Sequence, residues 1–222
     1  MIGIIDSGLG AISLLNELIR QKKINNYILF LDYKNNPYGL KDEKLLYKRL
    51  IENIKFLKEK GCKIIILACN TLSVIALKYN IKKVITPIDY FKKIISNTFN
   101  NKSILLATNY TIKSNVYNVT SRLSSDLVSY IEGKNPMDIN DMIKNISEYE
   151  NIYLGCTHFY LISNKFKDKK IYDSVKVLAD NVNIKSNNLS VKIYLNRIDK
   201  NIINHLMYHI HLKNIKIKCV NN

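Results

Sequence analysis

Two of the four cysteines stand in matching surroundings that suit acid–base chemistry. Cys69 follows the apolar stretch 64–68, and Cys156 follows the apolar stretch 152–154 and one glycine. Small polar residues that can begin a helix come directly after each cysteine. The N-terminus of a helix lowers the pKa of a thiol and so favours the thiolate, which can act as a base. The pattern therefore predicts two reactive thiols in equivalent positions.

Other polar residues extend this interpretation. His158 lies two residues after Cys156, where an imidazole can exchange a proton with a thiol. The segment 6–10 (DSGLG) contains glycines that permit a tight turn, and the following helix would present N–H groups to a carboxylate. It lacks the third glycine of a dinucleotide-binding turn. A second turn, 37–39 (PYG), follows the next apolar stretch.

The elements that must position these residues alternate along the chain. Short runs rich in Ile, Val and Leu predict strands, and the longer amphipathic segments between them predict helices. The predicted strands are Ile2–Ile5, Tyr27–Asp32, Lys63–Ala68, Lys83–Thr86, Ser103–Ala107, Asn151–Leu154, Val191–Leu195 and Ile215–Val220. The predicted helices are Gly10–Gln21, Asp42–Lys60, Leu72–Tyr79, Tyr90–Asn97, Asn115–Leu123, Asn140–Ser147 and Ile198–His211. Continuous apolar strands separated by helices are typical of an α/β fold with parallel sheets covered on both faces.

The two cysteine segments resemble each other, and so do the segments 2–7 and 103–108. Two pseudo-symmetric lobes would explain this repetition. We expect residues 1–88 with 176–222 to form a first lobe that carries Cys69, and residues 89–175 to form a shorter second lobe that carries Cys156. The carboxyl ends of the strands would face each other across a cleft, where α/β proteins bind ligands.

Composition argues against several other kinds of partner. The net charge is +16, but only four arginines contribute, at positions 20, 49, 122 and 197, and the lysines are spread among many Asn and Ile residues. Because bidentate phosphate and base contacts favour Arg, no nucleic-acid partner is predicted. No run approaches the ~20 apolar residues of a membrane-spanning helix, and no leader segment opens the chain. We expect a cytoplasmic protein without a membrane partner.

The remaining cysteines and histidines do not form a predicted metal site. The cysteines are too widely spaced for the usual zinc motifs, and Cys62 and Cys219 are interpreted as packing residues at strand edges. His205 and His209 have helical i, i+4 spacing, but no carboxylate or Cys nearby completes a ligand set. We predict no metal.

Taken together, the motifs resemble those of the glutamate racemase family. The family's DSGxGG turn resembles residues 6–10, its PYG element matches residues 37–39, and its ACNT motif matches residues 68–71. Its GTxxT segment is similar to residues 107–111, and its GCTHYPLL motif is similar to residues 155–162. Glu132, Tyr117, Ser114 and the pair Asp173-Ser174 also stand in the family's order. Ala11 and Tyr160 depart from the family pattern, and the stretches 117–132 and 132–155 are short.

The resemblance implies a cofactor-independent isomerase that interconverts L- and D-glutamate by a two-base mechanism. One thiol would remove the α-proton and the other would return a proton to the opposite face. The resemblance implies a catalytic group of Cys69, Cys156, Asp6 and His158. It implies that the substrate is held by Ser7, Pro37, Tyr38, Gly39, Asn70, Thr71, Thr108, Thr111, Glu132 and Thr157. It further implies a small-molecule substrate, a homodimer, and D-glutamate supplied for peptidoglycan, cell-wall biogenesis and cell shape.

Two alternatives stay open at the level of sequence. The first is an aspartate racemase or another two-cysteine isomerase on the same scaffold, because pocket volume cannot be derived from the motifs. The second is a non-enzymatic basic binding protein, which the net charge of +16 would suit.

Overall fold

The computed structural model of the protein describes residues 1–184, 186, 188–212 and 215–220. Six positions of the predicted first lobe (185, 187, 213, 214, 221 and 222) therefore lie outside the described residues. The strands are β1 (Ile2–Asp6), β2 (Asn26–Leu31), β3 (Ile64–Leu67), β4 (Ser103–Ala107), β5 (Ser121–Leu123), β6 (Asn151–Leu154), β7 (Lys170–Asp173), β8 (Ser190–Leu195) and β9 (Lys216–Cys219).

The α-helices alternate with these strands. They are α1 (Gly10–Arg20), α2 (Glu43–Glu59), α3 (Asn70–Lys78), α4 (Pro87–Thr98), α5 (Asn109–Lys113), α6 (Ser125–Ile131), α7 (Ile139–Lys144), α8 (Ser174–Asn181) and α9 (Lys200–His209). Three 3₁₀ segments, Tyr33–Asn35, Tyr38–Leu40 and Thr157–Lys165, follow β2 and β6.

Two parallel sheets organise the chain, as the alternation of apolar runs and amphipathic segments predicts. The first has the order β3-β1-β2-β8-β9 and the second the order β5-β4-β6-β7, and every described pairing is parallel. The central strands β1 and β4 are buried at every residue. This explains why their sequences are continuously apolar rather than alternating. The α/β fold class is confirmed.

Helices cover both faces of each sheet. One core cluster joins Ile4 and Leu29 of the first sheet to α1, and another joins Ile5 and Phe30 to α2 and α3. In the second sheet, α4 packs against the face that carries Leu105. The opposite face of that sheet joins the cluster that contains α1. Helix α1 therefore belongs to a core that the two sheets share.

Capping residues determine where several helices begin. Asp42 precedes α2, and its carboxylate accepts a hydrogen bond from the Leu45 N–H at 2.9 Å. Pro87 is the first residue of α4, and the N–H and hydroxyl of Thr86 both donate to the Asp89 carboxylate. These contacts satisfy N–H groups that the first turn of a helix leaves unpaired, and proline suits that turn because its nitrogen has no hydrogen to donate.

Two predicted elements are wrong, and backbone conformation explains both. The segment 83–86 makes only an isolated bridge between Ile85 and Ile66, because Lys83 has a positive φ of 63° and α4 begins at Pro87. The predicted helix 115–123 is interrupted by positive φ values at Asn115 and Asn118, and its end forms the strand β5 instead. The sequence interpretation also missed β7, α5, α6 and α8.

Within the described residues, no helix is both long enough and apolar enough to span a membrane.

Candidate active site

Cys69 and Cys156 occupy equivalent places in the two sheets. Cys69 lies two residues beyond β3 and directly before α3. Cys156 lies two residues beyond β6 and directly before the 3₁₀ segment Thr157–Lys165. Both are buried, with exposed fractions of 8% and 5%. The carboxyl ends of parallel strands thus place one thiol on each sheet, as the internal repetition predicts.

Asp6 joins the two halves of the site. It ends β1, the strand beside β3, and its side chain is fully buried. Its Oδ1 accepts the Gly8 N–H at 3.1 Å, and its Oδ2 accepts the Thr157 hydroxyl at 3.0 Å. Thr157 follows Cys156 directly. A carboxylate of the first sheet is therefore hydrogen-bonded to the residue next to the thiol of the second.

Cys156 is the first member of a buried relay that continues through His158 to Glu132. The sulfur lies 3.9 Å from Nδ1 of His158, and Nε2 of that ring lies 2.6 Å from Oε1 of Glu132. Glu132 follows α6, and its Oε1 also accepts the Leu9 N–H at 2.9 Å at the start of α1. The thiol, the imidazole and the carboxylate thus form a series of contacts that reaches the start of α1.

Hydroxyl groups form a second bridge between the sheets. The Thr71 hydroxyl, at the start of α3, lies 3.0 Å from that of Thr108, which in turn lies 3.1 Å from that of Thr111. Asn70 donates to the Ser174 hydroxyl at 3.3 Å and accepts the Tyr117 hydroxyl at 3.1 Å. These groups are buried and adjustable as donors or acceptors, which suits the carboxylates and ammonium of an amino acid.

The PYG turn is held against the second sheet. A side chain at Gly39 would place its Cβ 2.6 Å from Cβ of Thr108, so only glycine allows this approach. The Tyr38 hydroxyl donates to Asp32 at 2.5 Å and accepts from Asn53 at 3.2 Å. Arg49 of α2 also binds Asp32, at 2.7 Å. This network behind Tyr38 fixes the turn that closes the site.

The electrostatics of Cys69 differ from the prediction that a helix start lowers its pKa. Burial raises the pKa of Cys69 well above the usual value, and the negative charge of Asp6 raises it further. The backbone N–H groups of Leu72 and Thr71 act in the opposite direction but do not compensate. Burial also raises the pKa of Asp6, although His158 and the Gly8 N–H partly offset it.

The pair of His158 and Glu132 is held in its charged form. Burial alone would lower the pKa of His158, but its contacts with Cys156 and Glu132 outweigh burial and raise the pKa well above 6.5. Burial alone would raise the pKa of Glu132, but His158 and the N–H donors of Leu9 and Asn36 lower it. The result is an imidazolium beside one of the two thiols.

The structure brings all the predicted site residues to the facing ends of the two sheets. All are buried except Pro37, which is partly exposed. Tyr160, at a position where this chain departs from the family pattern, donates to Glu17 of α1 at 2.9 Å. His205 and His209 lie on α9 with ring centroids 6.0 Å apart, and His205 packs against Gly133, the residue after Glu132. Among the described residues, no three His, Cys, Asp or Glu side chains are grouped so that they could hold a metal ion.

The sequence interpretation missed several residues of the site. Asn36 donates a hydrogen bond to the Glu132 carboxylate, and Lys134 donates one to the backbone carbonyl of Asn36. The Tyr38 hydroxyl is bound by Asp32 and Asn53, and Arg49 binds Asp32. The available signal was that Asp32 ends the second predicted strand and Asn36 follows it by four residues, because polar residues at strand ends face the cleft. Arg49 and Asn53 lie within α2, where only their burial distinguishes them from a solvated face.

Comparison with known proteins identifies close relatives. The chain is 33% identical to the glutamate racemase of Fusobacterium nucleatum, over 89% of this chain and 83% of that protein. It is 31% identical to the glutamate racemase of Halothermothrix orenii, over 81% of this chain and 80% of that protein. No family model matches the chain.

A solved structure has the same fold. The glutamate racemase of Francisella tularensis, determined in complex with D-glutamate, aligns with a TM-score of 0.81 and 23% sequence identity. The alignment covers 99% of this chain and 96% of the other.

Proposed function

This chain belongs to the glutamate racemase family, and from that premise we propose that it interconverts L- and D-glutamate with the thiols of Cys69 and Cys156 as acid and base. The observation that carries the proposal is that both cysteines are buried in one hydrogen-bonded cluster built from both sheets. The alternative of a basic binding protein does not account for this cluster.

The chemistry requires two groups. Racemisation removes the α-proton from one face of the substrate and returns a proton to the other. A single base would return the proton to the face from which it came, so two positioned acid/bases are needed. Cysteines in equivalent positions at the ends of two facing sheets meet this need, because a bound amino acid would lie between them. Their roles exchange with the direction of reaction.

On the second-sheet side, we assign the relay to Cys156. An imidazolium 3.9 Å from the sulfur is placed to exchange a proton with Cys156 and to stabilise the negative charge that forms on it during the reaction. Glu132 keeps His158 protonated and oriented. Because its Oε1 already accepts hydrogen bonds from Leu9, Asn36 and His158, Glu132 acts through His158 rather than through direct contact with substrate.

On the first-sheet side, Cys69 supplies the proton. Its raised pKa keeps it a thiol near neutral pH, as a proton donor must be. Burial raises the pKa of Asp6 as well, which brings its proton affinity nearer to that of a group with which it exchanges protons. In the direction in which Cys156 removes the α-proton, Cys69 returns a proton to the opposite face of the substrate.

The remaining polar groups would hold glutamate. We assign this role to Ser7, Asn70, Thr71, Thr108, Thr111 and Thr157, with Pro37, Tyr38 and Gly39 closing the site. No cofactor takes part in the proposed steps. We also propose the two lobes 1–88 with 176–222 and 89–175, which the separation of the strands into two sheets supports. A homodimer, a cytoplasmic location and a role in peptidoglycan synthesis belong to the same proposal.

The test follows α-hydrogen exchange and optical activity in D₂O, with L- and D-glutamate supplied separately. The protein is first dialysed against EDTA and receives no cofactor. We expect the product enantiomer to carry solvent deuterium at the α-carbon. Cys69→Ser and Cys156→Ser should each lower kcat by roughly 10²–10⁴-fold, the usual contribution of a general acid or base.

The matched control is Cys62→Ser, a buried cysteine outside the cluster, which should retain full activity. Undiminished racemisation in either active-site variant would overturn the two-base assignment. Faster turnover of aspartate than of glutamate would overturn the substrate assignment.

A further inference from the structure

We propose that Asn36 and Lys134 are positioning residues that keep Glu132 ionised and in place, so that His158 stays charged beside Cys156. This inference rests on the proposed two-cysteine reaction. It concerns two side chains that the family motifs do not include, one from each side of the site.

Asn36 lies between the two parts of the machinery. It directly precedes the PYG turn and is 8% exposed. Its Nδ2 donates to the Ser7 carbonyl at 3.1 Å and to Oε1 of Glu132 at 2.9 Å. Its Oδ1 accepts from Nζ of Lys134 at 2.9 Å. Each amide atom has partners of the correct kind, so the hydrogen-bond network determines the orientation of the side chain.

Lys134 completes the bridge from the other side. It follows α6 by three residues, and its Nζ donates to both the backbone carbonyl and Oδ1 of Asn36, at 3.0 and 2.9 Å. Burial lowers the pKa of this ammonium, and the nearby charges of Arg197 and Lys41 lower it further, while Glu132 raises it. A cation in such surroundings is disfavoured unless its contacts compensate, and here those contacts are with the loop of the PYG turn.

The side chains of Glu132 and Asn36 pack closely against the backbone at Gly8. A Cβ at Gly8 would lie 2.0 Å from Oε1 of Glu132 and 2.1 Å from Nδ2 of Asn36. The backbone of the DSG turn therefore touches both groups of the bridge. If the bridge were removed, Glu132 would lose one of the three donors on Oε1 and the lateral support of Asn36.

The sign of the expected effect follows from these contacts. The Asn36 donor lowers the pKa of Glu132, and the charge of Lys134 acts in the same direction. His158 also lowers it. Asp6 of β1, Tyr33 after β2 and His209 of α9 also interact electrostatically with Glu132, and the variants below change none of them. Loss of either Asn36 or Lys134 should raise the pKa of Glu132. Glu132 would then become protonated at a higher pH, so the ionised acceptor that orients His158 beside Cys156 would be lost earlier on acidification.

The experiment measures kcat and KM for both enantiomers from pH 4.5 to pH 8.5 in the wild type, Asn36→Leu, Lys134→Met and Lys134→Arg. The two enantiomers have equal free energies, so kcat/KM must be the same in both directions for every variant, which provides an internal check. We expect Lys134→Met to move the acidic limb of kcat/KM upward by about one pH unit, the usual effect of one charged partner. Asn36→Leu removes a neutral donor and should move the limb in the same direction by a smaller amount. Lys134→Arg keeps the charge and should restore most of the wild-type profile.

Lys41→Met is the matched control. It removes a positive charge from the same region, but Lys41 makes no described hydrogen bond to Asn36, so the pH profile should stay as in the wild type. If the acidic limb of kcat/KM shifted equally in Lys41→Met, the effect would come from the loss of any nearby positive charge and not from the contacts of Asn36 and Lys134. This result would overturn the proposal.

Two further outcomes separate the possibilities. A wild-type chain that does not racemise glutamate contradicts the proposed function itself. An active wild type with unchanged profiles in Asn36→Leu and Lys134→Met contradicts only this inference. A loss of activity by the same factor at every pH would show a merely structural role and would also overturn it.

Discussion

At the scale of single residues, burial decides the electrostatics of the site. The start of a helix stabilises a negative charge by about 0.3–1 kcal/mol, which is less than one pH unit. Full burial can move a pKa by as much as about 3–5 units in the other direction. Burial is therefore the larger effect at Cys69, and its pKa rises although α3 begins directly after it. His158 shows the opposite result, since its two partners outweigh burial.

Asp173 provides a prediction at this scale. It is 2% exposed, its Oδ1 accepts the Val175 N–H, and its Oδ2 has no hydrogen-bond partner. Burial raises its pKa from 3.8 to about 7. The folded protein thus binds a proton that the unfolded chain releases, and stability falls as the pH rises from about 4 to about 7. The shift corresponds to on the order of 4 kcal/mol.

We expect Asp173→Asn to remove this decline, since the amide keeps an oxygen for the Val175 N–H and cannot ionise. Denaturant unfolding at pH 4.5 and pH 8 measures the effect: the variant should be the more stable protein at pH 8, with a smaller difference at pH 4.5. Asp126→Asn, at an exposed position of α6, keeps Asp173 and should show the same decline as the wild type. A wild type whose stability does not fall over this range would refute the assignment.

At the scale of elements, the helices matter mainly through where they begin. Helix α1 begins at Gly10, directly after the DSG turn, and α3 and the Thr157–Lys165 segment begin directly after the two cysteines. Helix α2 begins directly after its capping residue Asp42 and carries Arg49 and Asn53 to the network behind Tyr38. The starts of these helices therefore place residues that are close in sequence where they contact residues of the other sheet.

Gly10 tests the role of α1. Alanine is preferred over glycine inside helices by about 1 kcal/mol. Here a Cβ would lie 2.2 Å from Oγ1 of Thr157 and 2.7 Å from Oδ2 of Asp6, so the bond between these two residues must yield. Overpacking of this kind costs typically 1–3 kcal/mol, which exceeds the gain in helix propensity. We expect Gly10→Ala to lower stability and to reduce kcat/KM by at least about tenfold.

The control lies on the same helix. Ser13 is buried, and its hydroxyl has no hydrogen-bond partner, so Ser13→Ala should keep activity and stability. Steady-state kinetics and thermal unfolding of both variants provide the measurement. Full activity in Gly10→Ala would show that the contact between Asp6 and Thr157 does not matter for the reaction.

At the scale of the whole molecule, the structure is closed around its reactive groups. Cys69 and Cys156 are buried, and contacts from Asp6, Glu132 and Thr71 link the two sheets around them. In the proposed reaction, glutamate would have to displace groups that bury the two thiols. The interpretation of Cys219 as a packing residue is wrong, because it lies exposed on the edge strand β9.

Alkylation with iodoacetamide should reveal this closure. At neutral pH we expect Cys219 to react at least about tenfold faster than the three buried cysteines, because reaction needs an accessible thiolate. Saturating glutamate should slow the reaction at Cys69 and Cys156 without affecting Cys219. Peptide mass spectrometry follows each site, and Cys219→Ser should remove the fast phase. Equal rates at Cys69 and Cys219 would show that the site is open in solution.

The sequence alone was enough to predict the fold class and the family. The prediction rested on three features: continuous apolar strands, the matched surroundings of Cys69 and Cys156, and the GCTH and PYG elements. Each of them is a pattern of neighbouring residues, which can be recognised in the sequence. The edge strands β5 and β7 were harder to predict, because they are short and partly polar and depend on pairing with distant strands. The positive φ values at Asn115 and Asn118, which interrupt the predicted helix 115–123, could not be predicted from the sequence either.

Only the tertiary structure decided how the site residues interact. Glu132 and Leu9 are 123 residues apart in sequence, and Asn36 and Lys134 are 98 apart, yet each pair is hydrogen-bonded. No local pattern encodes such contacts. The same holds for the raised pKa of Cys69, because burial comes from elements of both sheets rather than from its neighbours. The sequence determined which groups are present, and the packing of the two sheets determined their charge states and partners.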